Sequence, residues 1–378
     1  MSSPRTPFRA AIIGTGGIAH AHAEALAALG GTVELVAVAD VDPTRAAAFA
    51  EQFGVASTYA TSAELLAAER LDIVHICTPP QTHASLAIEA MRAGATALVE
   101  KPTALSLREI DELDAVQRET GARVLTVLQH RFGPAAVRLR RLVAEGALGR
   151  PFVATCETLW YRNDEYFEVP WRGLWHVEGG GPTMGHGIHQ FDLLLSVLGP
   201  WAEVTAMAAR QARVTDTEDV SMALARFENG ALATVVNSVI SPRETSRLRF
   251  DFEFATVELE HLYGYDESHW TFTPAPGHEH LAELWQAGGA ADGAGAPSGH
   301  LGQFEAIFTA MTAGDEPGVS LTDARRTMEF AAATYASAFR RVPVRAGELT
   351  GDDPFTASMD GGAVPWAPVK SEAAAVLA

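Results

Sequence analysis

Three short segments of the chain carry side chains that could move a proton to or from a hydroxyl group. In Val99–Thr103, an apolar residue is followed by Glu100, Lys101 and Pro102. A lysine tolerates partial burial with a lowered pKa, so Lys101 could assist proton transfer to a hydroxyl or carbonyl oxygen. A solvated surface lysine is the alternative. Because proline restricts the chain direction, we expect Glu100 and Lys101 to lie beside a bound cofactor at a strand end.

The second segment places two histidines behind a flexible glycine run, Gly179–Gly181. A helix is predicted over Pro182–Leu198, and His186 and His189 share one face of it because they lie three residues apart. A neutral imidazole can take the proton of an alcohol as a hydride leaves the same carbon, so His189 is the candidate general base. His186 is a candidate substrate contact or auxiliary acid. Both could instead be packing residues.

A metal site is the less favoured interpretation of the same helix. His186, His189 and Asp192 follow one another in three-residue steps, but zinc sites need three or four converging ligands. The two cysteines, Cys77 and Cys156, are far apart and lack metal-ligand spacing. We therefore predict that the chain binds no metal.

The third segment, Cys77–His83, joins a strand to a helix through a turn stiffened by two prolines. Ligands of a doubly wound sheet bind at the carboxyl ends of its strands. Thr78, Pro79 and His83 are therefore predicted to line a cofactor. A plain turn with a helix cap is the alternative.

An irregular stretch between residues 160 and 176 combines tryptophan, tyrosine and arginine. Aromatic faces can cover the C–H faces of a pyranose while arginine donates to its hydroxyls, so the stretch predicts a sugar pocket. Packing onto the sheet or at an oligomer interface is the alternative. The candidates are Tyr161, Arg162, Trp171 and Trp175. Gln129 is a further candidate cofactor contact and Arg131 a candidate substrate contact, because both follow the last predicted strand of the first domain.

The element that must hold these groups against a cofactor is a strand, glycine turn and helix near the N-terminus. Apolar residues 10–13 lead into a glycine-rich turn and then an alanine-rich helix. Gly14 allows a tight turn, and Gly16 lets a pyrophosphate approach the backbone. The helix beginning near Gly17 directs its N–H groups at that phosphate. The residues expected to bind a dinucleotide are Gly14, Thr15, Gly16, Gly17 and Ile18.

Asp40 determines which dinucleotide is expected. It ends the second predicted strand, about 20 residues beyond the glycine turn, where a carboxylate can accept both hydroxyls of the adenosine ribose. The next residues, Val41 and Asp42, supply no cation for a 2′-phosphate, and Asp40 would repel one. NAD is therefore predicted, with NADP less favoured. An ordinary βαβ unit with a helix-capping aspartate is the alternative.

Short apolar strands alternate with amphipathic helices over the first third of the chain, which predicts a doubly wound parallel sheet, a Rossmann fold. Strands then follow one another, including Ala202–Arg213, with a hairpin signal at Glu228–Gly230. This pattern predicts an α+β domain with an open, mostly antiparallel sheet and flanking helices. A mobile loop is expected from Gly288. The predicted division is 1–129 for nucleotide binding, 130–346 for substrate binding and oligomerisation, and 347–378 as an irregular tail.

Composition and charge exclude several classes of protein. The 378 residues, 47% hydrophobic and 20% charged, predict a globular chain with more than one domain. A net charge of −19 argues against a nucleic-acid partner. No run approaches the roughly 20 apolar residues of a membrane span, and the first residues do not resemble a signal peptide. Two distant cysteines fit a reduced compartment, so a cytoplasmic location is expected.

Three of these motifs together resemble one known family. Val99–Thr103, Thr78–His83 and Gly187–His189, behind an N-terminal nucleotide fold, are similar to the Gfo/Idh/MocA family of NAD(P)-dependent oxidoreductases over about residues 8–345. The resemblance implies a Rossmann domain, a sheet domain through which homodimers or homotetramers form, and cyclic polyols or sugars as substrates. It also implies catalytic roles for Lys101 and His189.

The expected activity is an NAD-dependent dehydrogenase that oxidises a hydroxyl of a sugar, glycoside or inositol, with His189 as base and Lys101 assisting. Many dehydrogenases of the family carry an aspartate four residues before that histidine, where this chain has Gly185. Either His189 works with Lys101 and water, or His186 or another acid replaces the aspartate, or the chemistry differs. A catalytically silent dinucleotide-binding sensor and an NAD-dependent glycoside-cleaving enzyme are the alternative functions.

Overall fold

The computed structural model describes residues 6–291 and 297–370, and the chain divides into two compact units. The first unit comprises residues 6–104, Arg108–Val127 and His300–Arg325. The second comprises the described residues of Leu105–Leu107, Leu128–Gly299 and Arg326–Ala378. The predicted boundary after residue 129 lies two residues beyond Val127, but the return of His300–Arg325 to the first unit was not predicted. The described part of the tail, 347–370, belongs to the second unit.

The first unit contains a six-stranded parallel sheet with the order β3-β2-β1-β4-β5-β6, which confirms the predicted Rossmann fold. Its strands are β1 (Phe8–Ile13), β2 (Val33–Ala39), β3 (Ser57–Tyr59), β4 (Ile73–Ile76), β5 (Thr96–Val99) and β6 (Val124–Thr126). The central strands are mostly apolar and buried because helices cover both faces of the sheet. Strand β3 was missed, since a three-residue edge strand carries no readable periodicity.

The helices of the first unit follow the predicted βα alternation. They are α1 (Gly17–Ala28), α2 (Pro43–Phe53), α3 (Ser62–Ala68), α4 (His83–Arg92) and α5 (Leu107–Thr120), with His300–Ala313 added later in the chain. Helix α2 illustrates the local signals: Asp42 caps the N–H groups of residues 44 and 45, and Gly54 ends the helix at a φ of +68°.

The late helix joins the first unit because of its apolar face. Phe304, Ile307 and Phe308 are buried in the same core as Ala10 and Ile12 of β1. These contacts connect residues nearly 300 positions apart, so no local pattern could assign the helix to this unit.

The second unit contains an eight-stranded sheet in which β7 and β10 are parallel and the other neighbours are antiparallel. Its strands are β7 (Pro151–Tyr161), β8 (Trp201–Ala209), β9 (Val220–Phe227), β10 (Leu232–Ser238), β11 (Ile240–Phe252), β12 (Ala255–His261), β13 (Trp270–Pro274) and β14 (Val344–Arg345). The hairpin predicted at Glu228–Gly230 joins β9 to β10. Strands β13 and β14 were not predicted.

One predicted strand is too long for a clear reason. Residues 202–213 were expected to be extended throughout, but β8 ends at Ala209. The carboxylate of Asp219 accepts hydrogen bonds from the backbone N–H groups of Gln211, Ala212 and Arg213. These bonds replace the partners that a neighbouring strand would supply, so the chain turns away from the sheet.

The remaining helices belong mainly to the second unit. They are α6 (Pro134–Ala144), α7 (Asp164–Glu168), α8 (Trp175–Glu178), α9 (Ile188–Leu198), α10 (His280–Ala291), α11 (the late helix, His300–Ala313), α12 (Leu321–Arg340) and α13 (Pro354–Ala357). The loop expected from Gly288 is wrong as far as Ala291, because α10 continues to that residue. Helix α10 buries Leu281 and Trp285, which explains its stability despite two glycines. Residues 292–296 and 371–378 lie outside the described residues.

Among the described residues, none of the helices combines the length and apolar character needed to cross a membrane.

Candidate functional site

The glycine turn in the first unit has an open surface and no side-chain cap. Gly14 adopts a φ of +89°, and a Cβ there would lie 2.8 Å from Thr78 Cγ2, so only glycine fits. A Cβ at Gly16 or Gly17 would meet nothing within 4 Å. Helix α1 begins at Gly17 without a capping side chain or an acidic residue in its first turn. Its first N–H groups and positive dipole end therefore fit a phosphate group.

Asp40 lies directly after β2 and is tied to this turn. Its Oδ2 accepts hydrogen bonds from the backbone N–H of Thr15 at 2.8 Å and from the Thr15 hydroxyl at 2.9 Å. Burial alone would raise the pKa of Asp40, but hydrogen bonds from the Asp42 and Thr15 N–H groups lower it below its usual range. A charged carboxylate at this position fits the ribose hydroxyls of NAD.

A cation does lie near this carboxylate, although residues 41 and 42 did not indicate one. The half-exposed Arg45 guanidinium lies 3.4 Å from Asp40 Oδ1 because helix α2 begins immediately after the strand. It pairs with Asp40 and, at 3.7 Å, with Asp42. The prediction of NAD over NADP assumed that no cation lies near Asp40. The first turn of α2 supplies one, Arg45.

The predicted cofactor-lining turn, Thr78 to His83, packs against the glycine turn and is internally bonded. Thr82 Oγ1 donates to Thr78 Oγ1 at 2.7 Å. His83 is buried, with Nδ1 2.7 Å from the carbonyl oxygen of Pro102 and Nε2 2.9 Å from that of Thr78. Both ring nitrogens of His83 thus contact backbone groups. A cofactor contact of its side chain stays a prediction, as it does for Thr78 and Pro79.

Glu100 is surrounded by histidines, which its predicted role as a cofactor contact did not include. His22 Nε2 lies 2.9 Å and His300 Nε2 3.2 Å from Glu100 Oε1, while Oε2 accepts the backbone N–H of Lys101 at 3.1 Å. His22 Nδ1 lies 2.9 Å from His75 Nδ1. Burial opposes ionisation of Glu100, but hydrogen bonds from His22 and His300 hold its pKa well below the usual range. Burial also lowers the pKa of His22, and of His75 further.

The second unit contains another histidine cluster, centred on the candidate base. His189 is buried and stacks on His130, with ring centroids 4.9 Å apart. The amide Nε2 of Gln190 lies 3.3 Å from His130 Nδ1 and 3.0 Å from His261 Nε2. Burial lowers the pKa of His261 to about 4. The cluster thus joins His189 to two further imidazoles through ring stacking and one amide.

His186 lies in different surroundings from His189 because the predicted helix does not begin as an α-helix. Residues Thr183–Gly187 form a π-helical turn before α9, which changes the angular relation between the two histidines. The His186 ring lies 5.1 Å from that of Trp160, edge to face. The space beside Gly185 is open, since a Cβ there would meet nothing within 4 Å.

The glycine run before these histidines is closely packed rather than flexible. A Cβ at Gly181 would overlap the backbone carbonyl of Glu218, and one at Gly180 would overlap the hydroxyl of Tyr335. The buried Glu218 carboxylate accepts hydrogen bonds from the N–H of Gly181 at 2.9 Å and of Thr183 at 3.2 Å. It also accepts the Tyr335 hydroxyl at 2.8 Å. Glu218 therefore fixes the start of the segment that carries His186 and His189.

Gln129 and Arg131, the candidate cofactor and substrate contacts that follow the last strand of the first unit, are buried in the second unit. Arg131 makes a two-pronged ion pair with Asp192, with nitrogen–oxygen distances of 2.7 and 2.6 Å. Thr327 donates to the same carboxylate at 2.7 Å. The carbonyl oxygen Oε1 of buried Gln129 has no hydrogen-bond partner among residues 6–291 and 297–370. Substrate or cofactor contacts by Arg131 and Gln129 stay predictions.

Two of the residues predicted to bind a sugar, Arg162 and Trp171, take part in an alternating stack of aromatic and arginine side chains. The Arg162 guanidinium lies 4.8 Å from the Trp160 ring, and the Arg172 guanidinium lies 4.0 Å from Tyr166 and 4.4 Å from Trp171. Each arginine has an acidic partner, Glu244 at 2.8 Å for Arg162 and Glu178 at 3.4 Å for Arg172. The charge of the stack is therefore balanced.

Two predicted members of this group have other neighbours. The indole N–H of Trp175 donates to the carbonyl of Asp216 at 2.8 Å, and its ring packs against Tyr335. Tyr161 is exposed, and the centre of its ring lies 5.0 Å from the Arg213 guanidinium. Packing, the alternative considered for these aromatics, accounts for the position of Trp175. Substrate binding by either residue stays a prediction.

The described tail fastens the segment that carries this stack. Lys370 Nζ donates to the carbonyl oxygens of Val169 at 2.8 Å, Arg172 at 2.6 Å and Phe167. The Trp366 indole donates to the carbonyl of Asp216 at 2.8 Å. The three N–H groups of one ammonium group thus hold three carbonyl oxygens of this segment.

Several residues of these sites were missed by the sequence prediction. His22 had a weak local signal, because it lies on the helix that follows the glycine turn. His75 lies within a buried strand, and His300 is 200 residues from Glu100 along the chain. Gln190 and Glu218 had no signal, because only the fold brings His130 and His261 to Gln190, and Glu218 to the backbone of Gly181 and Thr183.

Comparison with known families identifies both parts of the chain. Residues 8–128 match the model described as an oxidoreductase family with an NAD-binding Rossmann fold. Residues 136–277 match the model of the GFO/IDH/MocA C-terminal domain.

Several characterised relatives are dehydrogenases. The chain is 28% identical to D-apiose dehydrogenase of Paraburkholderia graminis over 94% of each chain. It is 32% identical to D-glucoside 3-dehydrogenase of Escherichia coli, over 51% of this chain and 55% of that protein. Among solved structures, the WlbA dehydrogenase of Chromobacterium violaceum in complex with NADH and UDP-GlcNAcA superposes with a TM-score of 0.82 at 25% identity, covering 92% of this chain and 98% of that one.

Proposed function

Because the chain belongs to the Gfo/Idh/MocA family and is a dehydrogenase acting on a CH–OH group with NAD as cofactor, we propose that its substrate is a sugar, a glycoside or an inositol. The relatives named D-apiose dehydrogenase and D-glucoside 3-dehydrogenase support this substrate class. The observation that carries the proposal is the buried His189 in a cluster of imidazoles, next to the stack of aromatic and arginine side chains.

In the proposed reaction, His189 takes the proton of the reacting hydroxyl. Bound NAD supplies the chemistry of accepting a hydride at its nicotinamide ring. Lys101 orients the hydroxyl and balances the charge that develops on its oxygen. A neutral imidazole suits the role of base, because its unperturbed pKa lies close to neutral pH.

We propose that His189 works without a neighbouring aspartate. The space beside Gly185 is open, so a water molecule or a substrate hydroxyl can occupy the place of the missing carboxylate. His186 is the proposed substrate contact, because it lies beside Trp160 in the aromatic stack. Glu218 is a less suitable replacement acid, since its carboxylate is already engaged by Gly181, Thr183 and Tyr335.

The proposed cofactor site uses the open glycine turn and Asp40. The uncapped start of α1 receives the pyrophosphate, and Asp40 accepts the ribose hydroxyls. Gly14, Thr15, Gly16, Gly17 and Ile18 are the proposed contacts, with Thr78, Pro79, His83, Glu100, Lys101 and Gln129 as further members.

The proposed substrate surface favours an uncharged polyol. Arg162 and Arg172 are each paired with a glutamate, so their positive charge is largely compensated. The stacked rings still offer apolar faces, and the guanidinium groups still offer N–H donors for hydroxyls.

We further propose that the chain forms a homodimer or homotetramer through the open face of the second-unit sheet. Met207, Met222 and Leu224 on β8 and β9 are 80%, 55% and 63% exposed, and their side chains share one face. Leu232 and Val153, paired on β10 and β7, extend the apolar patch. Leu224→Lys is expected to shift the sedimentation coefficient to that of a smaller species; an unchanged coefficient would rule out this interface.

The test of the activity is NADH formation across a panel of inositols, free sugars and glycosides, with Lys101→Ala and His189→Ala as control variants. Turnover of at least one neutral polyol is expected, with NAD preferred over NADP. If NAD binds but no polyol is oxidised, the proposed oxidation of a sugar, glycoside or inositol is wrong, and the open position at Gly185 then favours a catalytically silent relative. An NAD-dependent glycoside-cleaving enzyme would instead retain bound NAD and cleave a glycoside without net NADH.

A further inference from the structure

Four ionisable side chains form one buried network in the first unit, on the interior side of the strand end that carries Lys101. His22 lies on α1, His75 on β4, Glu100 directly after β5 and His300 at the start of α11. The contacts run from His75 Nδ1 to His22 Nδ1 at 2.9 Å, from His22 Nε2 to Glu100 Oε1 at 2.9 Å, and from His300 Nε2 to the same oxygen at 3.2 Å. All four side chains are at least mostly buried.

The contacts assign the protons of this network. An ionised carboxylate can only accept hydrogen bonds, so His22 and His300 must each carry a proton on Nε2. A neutral His22 then has an unprotonated Nδ1, which accepts a hydrogen bond from Nδ1–H of His75. The remaining nitrogen, His75 Nε2, is left unprotonated, and it has no hydrogen-bond partner within the part of the chain that the structure describes. Every proton in the chain of contacts therefore has an acceptor.

The same assignment of protons argues against a metal ion in this network, although the ligand atoms of His22, Glu100 and His300 lie within 4.8 Å of one another. A cation would replace the protons on His22 Nε2 and His300 Nε2. His22 would then carry its proton on Nδ1 and donate it to His75, which would move the proton of His75 to Nε2. That buried N–H would have no acceptor among the described residues, which is unfavourable.

The network fixes the backbone on one side of Lys101, and another histidine fixes the other side. Glu100 Oε2 accepts the backbone N–H of Lys101 at 3.1 Å. His83 Nδ1 lies 2.7 Å from the carbonyl oxygen of Pro102, the residue after Lys101. Lys101 therefore lies between two residues, Glu100 and Pro102, that are fixed by hydrogen bonds. On its N-terminal side, the carboxylate of Glu100 is held in place by two histidines.

We propose that His22 and His300 are positioning residues of the dehydrogenase, which act through Glu100 to hold Lys101 in its working orientation. The inference rests on the proposed role of Lys101 in assisting proton transfer. His75 completes the network by fixing the tautomer of His22. Displacement of a catalytic group by about 1 Å lowers the rate by roughly 100-fold, so loss of an anchor should reduce turnover rather than binding.

The test compares two substitutions of His300. The amide of His300→Gln can still donate to Glu100, whereas His300→Leu cannot. We expect His300→Leu to lower kcat roughly 10- to 100-fold while KM for the sugar and Kd for NAD change by less than about threefold. His300→Gln should retain kcat within about fivefold of the unmodified enzyme. Thr312→Val is the matched control, because it removes a hydrogen-bonding group from the same helix away from Glu100.

A thermodynamic cycle with Glu100→Gln separates positioning from general disruption. If His300 acts through Glu100, His300→Leu combined with Glu100→Gln should be no slower than the slower single variant. The proposal would be overturned if the losses of kcat in the two single variants multiplied in the double variant. It would also be overturned by an equal loss of kcat in His300→Gln and His300→Leu, or by a rise in KM with kcat unchanged. If His300→Leu fails to fold by circular dichroism, the comparison of Glu100→Gln with His300→Gln and their combination takes its place.

A readout independent of turnover distinguishes failure of this inference from failure of the proposed function. Nitrogen-15 NMR of the histidine side chains should show neutral imidazoles protonated at Nε2 for His22 and at Nδ1 for His75, and a proton on Nε2 of His300. That pattern in a protein that oxidises no polyol would retain the network and reject the proposed oxidation of a sugar, glycoside or inositol. A protonated His22, or one equivalent of a metal that is lost in His300→Leu, would overturn the network itself.

Discussion

The two histidine clusters differ in the group that lies between the imidazoles. In the first unit, His22 and His300 both contact the charged carboxylate of Glu100. In the second unit, the amide of Gln190 lies between His130 and His261, and His130 stacks on His189. A carboxylate accepts hydrogen bonds only, so it fixes where each proton lies. An amide both donates and accepts, so it tolerates either tautomer of a neighbouring imidazole.

This difference fits two separate tasks. A cluster with fixed protons is suited to holding the backbone beside Lys101 in one arrangement. A cluster without a fixed proton order is suited to a base that must gain a proton in each turnover and release it again. Four changes to the protein test this division of roles.

The largest expected effect comes from removing the base of the second cluster. His189→Asn should lower kcat by roughly 100- to 10,000-fold, because general base catalysis is lost while the ring of His130 keeps most of its other neighbours. Steady-state kinetics together with NAD binding measures the change. The loss should exceed that of His300→Leu, and a smaller loss would reverse the roles assigned to the clusters. His278→Asn, which alters an imidazole stacked on Phe254, is the control.

The second test uses the pKa of His261, which burial lowers to about 4 from an ordinary value of 6.5. Because the unfolded chain binds a proton below pH 6.5 and the folded chain does so only near pH 4, stability should fall between these values as the pH decreases. The loss should reach about 3 kcal/mol, and His261→Gln should remove that part of the pH dependence.

Tryptophan fluorescence makes this measurement specific to the second unit. All seven tryptophans of the chain lie there. Urea unfolding measures the free energy of unfolding at pH 7.5 and pH 5 for the unmodified chain and for His261→Gln. The change between the two pH values is then compared between the two proteins. Burial also lowers the pKa values of His22 and His75 in the first unit, but unfolding of that unit contributes little to this signal. An identical pH dependence in both proteins would show that His261 is readily protonated in the folded chain.

The third test gives the second cluster a carboxylate like that of the first. Gln190→Glu preserves the shape of the side chain and places a negative charge between His130 and His261. Such a charge raises the pKa of nearby imidazoles, so the acid limb of the kcat/KM profile should move up by about one pH unit. On the acid limb the rate should fall by up to about tenfold, with recovery at higher pH. An unshifted profile would mean that His189 is not coupled to this charge.

The smallest expected effect comes from restoring the aspartate that the family often carries. A Cβ at position 185 would meet nothing within 4 Å, so Gly185→Asp introduces no clash at that atom. The new carboxylate should move the acid limb of the kcat/KM profile to a slightly higher pH. It should change kcat by less than about threefold, since the imidazole cluster already holds His189 in place. Gly185→Asn separates the charge from the shape. A gain of 100-fold or more would show that the chain lacks an essential group and favours the catalytically silent alternative.

The success of the sequence predictions depended on how local their signals were. The glycine turn and Asp40 are set by neighbouring residues, and each follows the strand after which it was predicted. Predictions failed where distant groups changed a local pattern. The strand after Trp201 ends early because Asp219 binds its backbone, and the glycines before His186 are packed rather than flexible because Glu218 and Tyr335 lie against them.

The sequence by itself determined the Rossmann fold, the dinucleotide turn and the residue types available for proton transfer, because strand periodicity, glycine turns and helix starts depend on contacts within a few residues. Only the tertiary structure decided what surrounds those residues. It placed two histidines on Glu100, an amide between His130 and His261, and Arg45 beside Asp40. Hydrogen bonds and burial act across space rather than along the chain, so proton positions and pKa values become defined only when the chain has folded.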